Sequence, residues 1–124
     1  MLFRSKDVSS SSGVADTGNG RGVAFGDLDG DGDLDMYVVN NGQANKNKLF
    51  RNDGVSEAWL FVRPLDYAGH QTLLGATVVI FLAAGGASTG NPLALRTIDG
   101  GSGYCSQGAY DAHFGLGSVG VSAS

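Results

Sequence analysis

The sequence predicts an all-β protein, and three observations carry that reading. Glycine is the commonest residue type, at 21 of 124, against only 2 prolines. Long Leu/Ala/Glu/Lys stretches of helical period are missing, while β-branched and aromatic residues gather in short runs bounded by Gly, Asn, Asp and Pro, the pattern of strands and turns. Two of those runs flank an acidic segment, Asp27-Leu28-Asp29-Gly30-Asp31-Gly32-Asp33-Leu34-Asp35, whose residue types are those of a tight loop.

In chain order, residues 9–20 form a polar, glycine-rich connection into the first strand. Gly22-Val23-Ala24-Phe25-Gly26 enters the acidic loop and Met36-Tyr37-Val38-Val39 leaves it, so the loop joins two strands of a hairpin. Residues 40–47 make a turn, and Lys48-Leu49-Phe50-Arg51 is a short third strand. Trp59-Leu60-Phe61-Val62-Arg63 is a strand ended by Pro64, with Trp59 and Phe61 on one face by period two and assigned to core packing. Residues 74–82 are apolar on both faces, which predicts a central strand. A Gly/Ser turn over 83–91 and a hairpin partner at 93–98 follow, and the chain closes on His113-Phe114-Gly115-Leu116-Gly117.

The loop is the most specific feature. Its order is D-x-D-x-D-G-x-x-D, so the carboxylates of Asp27, Asp29, Asp31 and Asp35 and the backbone carbonyl of Asp33 can turn onto one point. Calcium takes roughly six to eight oxygen ligands, and five from the loop plus water make a plausible shell. Gly30 and Gly32 supply the positive φ that so tight a loop needs. The competing reading is an Asp/Gly turn that binds nothing. An EF-hand does not fit: its twelfth position needs a bidentate Glu and here is Val38, and the flanks are strands rather than helices.

Composition bounds the partners. The formal net charge is −4, from 8 basic and 12 acidic residues, and five of those acids lie in the loop. The acidity is therefore local, and no basic stripe points to nucleic acid. The one cysteine, Cys105, excludes an intrachain disulfide and reads as a buried small hydrophobe. The first residues carry no apolar signal-peptide core, and the longest apolar stretch is about half the ~20 residues of a membrane helix.

Leu2-Phe3-Arg4 returns as Leu49-Phe50-Arg51, followed by Asn52-Asp53-Gly54-Val55, a spacing typical of propeller or solenoid repeats. Residues 25–38, closed by Leu49-Phe50-Arg51-Asn52-Asp53-Gly54, resemble the FG-GAP/VCBS repeat of integrin-type β-propellers. That resemblance implies a single blade over 1–55 whose hairpin loop holds Ca2+ through Asp27, Asp29, Asp31, Asp33 by its carbonyl, and Asp35. Further blades would be missing from this chain. The second half, with its Trp-Leu strand, Leu74-Gly75-Ala76, Ile98-Asp99-Gly100-Gly101-Ser102-Gly103-Tyr104, Ser106-Gln107 and His113-Phe114-Gly115-Leu116-Gly117, resembles the ASPIC/UnbV domain. It implies a small antiparallel, sandwich-like β domain over 56–124, truncated at its C-terminus, and an extracellular adhesion or matrix-type module whose partners are proteins or matrix components.

Two catalytic patterns compete. Gly86-Ala87-Ser88-Thr89-Gly90 fits G-x-S-x-G with His113 downstream, the alternative of a serine hydrolase using Ser88, but a nucleophile elbow needs a helix after the Ser, and Asn91-Pro92 follow. Gly115 to Gly120 fits G-x-G-x-x-G without a following helix to hold a pyrophosphate. His113 reads as a structural histidine, because no second His or Cys stands at metal-ligand spacing. The remaining alternative is a truncated product without function.

Overall fold

The computed structural model describes residues 4–42, 46–54, 57–71, 74–84, 87–101 and 103–117, without the side chains of 83–84 and 87–89. The described residues form seven strands and no helix: β1 (Gly20–Gly26), β2 (Asp35–Asn40), β3 (Lys48–Phe50), β4 (Ala58–Val62), β5 (Thr77–Ala84), β6 (Ala87–Thr97) and β7 (Ala112–Gly117). They pair into three antiparallel sheets, β1-β2-β3, β4-β7 and β5-β6. The all-β expectation holds, and the acidic segment does join two paired strands, β1 and β2, whose register closes at Gly26 opposite Asp35.

In the first sheet the pairing of Phe25 with Met36, and of Met36 with Phe50, places these three on one face. Ala24, Tyr37 and Leu49 share the other. Neither face is closed: Phe25 is 51% and Leu49 56% exposed, and the residues this sheet does bury are Asp35 and Asn40. Such a sheet is ordered by polar contacts rather than by an apolar core.

The apolar core lies in the second half. Ile98, Ala112 and Phe114 are buried, and Val62, Val78, Ile80, Ala94 and Leu116 from β4, β5, β6 and β7 pack around them. The two-stranded sheets thus face one shared cluster. Arg96 lies over the Phe114 ring, 5.7 Å from its centroid, so its stem and guanidinium help close the cluster. Beyond the strand ends, Gly75 donates to the Ile98 carbonyl and Ile98 to the Ala76 carbonyl, at 2.7 and 2.8 Å, which holds Ile98 in place.

Several expectations are corrected. The strand within 74–82 is not central: β5 has β6 on one side and no strand on the other among the described residues. Val78 and Ile80 face the core, while Val79 and Phe81 stay exposed with Leu95. Nor is 83–91 one long turn, since β6 begins at Ala87 and Ser88 pairs with Ala83. The ladder reaches that far because two bulges, on either side of Phe81, take up the extra residues around Pro92, which lacks an N–H to donate. Gly85 and Gly86 lie outside the described residues. Cys105 is exposed rather than buried, with φ of 54° in the turn between Gly103 and Ser106. That turn leans on β1: Val23 donates to Ser106 Oγ at 3.0 Å, and a Cβ on Gly22 would overlap the Cys105 carbonyl oxygen.

At the end of the first sheet away from the acidic loop, Asp16 gathers three donors. Lys48 Nζ lies 2.6 Å from its carboxylate, Asn40 Nδ2 donates at 2.7 Å and the Gly18 N–H at 3.0 Å. Asn40 also donates to the Lys46 carbonyl at 3.1 Å, so one buried amide binds the lead-in to the β2–β3 connection. Lys48 first, then Asn40 and Gly18, lower the Asp16 pKa to about 2. Because the folded value is depressed, this contribution is present above the unfolded carboxylate value and is lost as pH falls from about 4 through about 2. Melting temperature should therefore fall across that window more steeply in the unaltered chain than in Asp16→Asn. Parallel curves for the two chains would show that Asp16 is not a stabilising acid.

Candidate functional site

The candidate metal centre is built on backbone N–H groups before any side chain is considered. Gly30 and Gly32 have φ of 81° and 94°, the left-handed conformation expected for them, and this curls the loop back on its first acid. Asp27 then accepts from the Gly30 N–H at 2.7 Å on one oxygen and from the Gly32 N–H at 3.1 Å on the other. Asp31 accepts from the Asp33 N–H at 2.9 Å. Asp35, 1% exposed, accepts from the N–H groups of Leu28 and Asn52, both at 2.9 Å. Asn52 and then Leu28 hold the Asp35 carboxyl below the usual range, so it stays ionised although buried.

Carboxylate oxygens of Asp27, Asp29 and Asp35 lie within 4.8 Å of one another. Three hard, anionic oxygens at that spacing, each with lone pairs to spare beyond its hydrogen bonds, are the donor set that suits calcium. The residues present therefore fit the ion that the loop spacing predicts. Asp31 and Asp33 stand outside this group. Asp31 is turned to its own loop backbone, and the Asp33 carboxylate sits against Gly54, 2.7 Å from where a Cβ would be. Arg51 is an organising residue that spacing alone does not reveal: its guanidinium lies 3.6 Å from Asp29 and pairs more closely with Asp53.

The second half of the chain docks on this loop. Trp59 and Phe61, on one face of β4 as predicted, meet edge to face with centroids 5.2 Å apart, and Phe61 meets the His113 ring at 4.8 Å. Trp59 is not in the core, being 44% exposed. Its indole lies against the Cα of Gly32, where a Cβ would overlap the ring. His113 Nε2 lies 2.8 Å from the Gly32 carbonyl oxygen; a carbonyl only accepts, so Nε2 carries the proton and donates. A cleft of about 560 Å³ opens beside this contact, lined by Asp27, Asp35, Tyr37, Trp59, Phe61 and Arg63 among others. Its far wall is fixed by the two-pronged Arg63–Asp111 pair, at 2.9 and 2.7 Å, with Gln71 donating to Asp111 at 2.7 Å.

The hydrolase alternative loses its geometry. The side chain of Ser88 lies outside the described residues, but its backbone belongs to the β5–β6 ladder and not to a strand-to-helix elbow. His113 is engaged by the acidic loop, as a structural histidine with a partner.

The two loop glycines separate two costs. At Gly30 an added Cβ meets nothing within 4 Å, whereas at Gly32 it meets the indole. Gly30→Ala should lose only the left-handed backbone preference, about 1–2 kcal/mol, and Gly32→Ala that plus the overlap, about 2–4 kcal/mol. Urea denaturation of both would measure the gap, and equal losses would mean that Trp59 does not pack on the loop.

Comparison with known proteins bears on the second half most directly. Residues 67–123 match the family described as ASPIC and UnbV. The chain is 42% identical over 103 residues to cartilage acidic protein 1 of Mus musculus, a match covering 81% of this chain and 15% of the relative. For cartilage acidic protein 1 of Homo sapiens the identity is 41% over 103 residues, covering 81% of this chain and 14% of the relative. The chain thus spans about one-seventh of the length of these relatives. No solved structure matches it, and no helix among the described residues is long and apolar enough to cross a membrane. Residues 67–123 match the ASPIC and UnbV family, and 103 residues, 81% of this chain, are homologous to part of cartilage acidic protein 1.

Proposed function

We propose that the chain is a calcium-binding, non-enzymatic module of extracellular matrix or cell-surface type. The observation that carries the reading is the convergence of Asp27, Asp29 and Asp35 on a glycine-turned loop between two paired strands. The proposed ligands are the converging carboxylates of Asp27, Asp29 and Asp35, with the Asp31 carboxylate turned in from its bond to the Asp33 N–H and the carbonyl of Asp33. When bound, calcium supplies positive charge at the point where the carboxylates meet. The chain's own residues pre-shape the site: Gly30 and Gly32 curl it, and the Leu28 and Asn52 N–H groups aim Asp35.

In this reading residues 1–55 are one FG-GAP/VCBS propeller blade and 56–124 an ASPIC/UnbV-like β domain, with proteins or matrix components as partners. The open faces of the first sheet, with Phe25 and Leu49 exposed, support a blade that packs on neighbours. The relatives are named for cartilage, a tissue consisting largely of extracellular matrix, and the extracellular setting is carried over from that name. Homology to a protein named as a tissue component, and the ladder position of Ser88, favour a binding module over a hydrolase.

For a site of the extracellular kind, with Kd near 10⁻⁴ M in about 1 mM calcium, binding stabilises the fold by roughly 1.4 kcal/mol. Thermal melts should shift upward by several degrees with calcium and return with chelator. Asp29→Ala should remove the shift, while Asp33→Ala should largely keep it, because residue 33 contributes its carbonyl. A folded chain whose melting ignores calcium would sink the reading, and equal losses from the two substitutions would mean that the ligand assignment is wrong.

A further inference from the structure

We infer that Trp59 and His113 are positioning residues for the acidic loop, so that cation affinity and the docking of the second half on the first are linked. This rests on the calcium reading above. The linkage follows from Gly32, whose N–H and carbonyl belong to the two peptide units that flank its Cα. Its N–H donates to Asp27, its carbonyl accepts from His113, and its Cα lies under the Trp59 indole. Gly32 cannot rotate without breaking either one of the two bonds that orient Asp27, a member of the converging carboxylates, or the bond to β7. The register of the second half makes the contact stiff: Phe61 pairs with His113 across β4 and β7, and the two rings touch. His113 and Trp59 are therefore delivered to the loop by one ladder, beside the buried Ala112 and Phe114.

Linkage is reciprocal: whatever the docked half contributes to cation affinity, the cation returns to docking. Neither residue touches the ion in this account. They act through Gly32 on Asp27.

The test uses terbium, which takes the same hard oxygen ligands as calcium and emits when an indole nearby transfers energy to it. Trp59 is the only tryptophan and lines the same cleft as Asp27 and Asp35, but Tyr37 lines it too, so excitation is set at the red edge of the indole band, beyond tyrosine absorption, to give sensitised emission one source. In the unaltered chain, calcium-displaceable terbium emission excited through the indole is expected. His113→Ala should weaken terbium binding by roughly three- to tenfold, the worth of one such hydrogen bond. His113→Gln, which returns an N–H donor, should recover most of the loss, something a packing role for the ring would not do. The sensitised emission needs no variant, so a His113→Ala chain that fails to fold leaves the test standing. Terbium that binds and is displaced by calcium, but without indole-sensitised emission or with unchanged affinity in folded His113→Ala, overturns the inference. No displaceable terbium even under direct excitation overturns the calcium reading itself, and the inference falls with it.

Discussion

One residue, Gly32, ties the two halves of this chain together. Its amide serves the acidic loop, its carbonyl serves β7, and its Cα has a tryptophan for a neighbour where any other residue would carry a side chain. Each demand alone would be unremarked in a loop glycine. Together they require a residue with φ of 94° and no Cβ at all, which only glycine meets. A side chain at this position would strain the left-handed turn of the loop and overlap the Trp59 indole.

That contact matters because the first sheet has so little else. Buried apolar residues are the usual source of stability for a sheet, and here Ile98, Ala112 and Phe114 all belong to the second half. The first sheet instead buries Asp35 at one end and Asn40 at the other: Asp35 accepts from the Leu28 and Asn52 N–H groups, and the Asn40 amide donates to Asp16 and to the Lys46 carbonyl. A buried polar group that loses its partners is costly to leave unmade, which makes such a sheet specific in its register yet dependent on every bond. Leaning it on an apolar neighbour, through Gly32 at the loop and through the Gly103–Ser106 turn at the β1 edge, supplies what its own faces do not.

Much of this was legible in the sequence, and the remainder was not for identifiable reasons. The strands around the acidic loop were readable because β-branched and aromatic runs met Gly and Asp at sharp boundaries, and Gly30 and Gly32 have the positive φ their places implied. The common side of Trp59 and Phe61 followed from period two. Where Trp59 lies did not, since period two fixes a face and not its neighbour; the partner is a glycine, which has no side-chain signal to read. The reach of β6 back to Ala87 was hidden because Gly90 and Pro92 are turn residues in most settings, and here bulges absorb them. Burial of Cys105 was inferred from residue type alone, and a turn with positive φ overrode it. Spacing named four carboxylates and the Asp33 carbonyl; of the carboxylates, Asp27, Asp29 and Asp35 converge while Asp31 bonds its own loop backbone, a division that spacing does not show.

The division has a physical logic. Like charges this close must be met by positive charge or by dipoles, and the chain uses the two in different places. At the buried end, rigid backbone N–H groups address Asp35 and Asp27, and their positions are set by β-pairing and by the two glycines. At the exposed end, Asp29 is met by Arg51, a long and largely exposed side chain that already has Asp53 as its nearer partner. One wall of the carboxylate group is therefore preformed and the other adjustable. Arg51 can stay with Asp53 when a stronger positive charge reaches Asp29, so the chain has no need to break a buried contact to accept it. In the proposed calcium site the shape would come from the fold, while Asp29, the exposed member of the three, would turn from Arg51 to the cation.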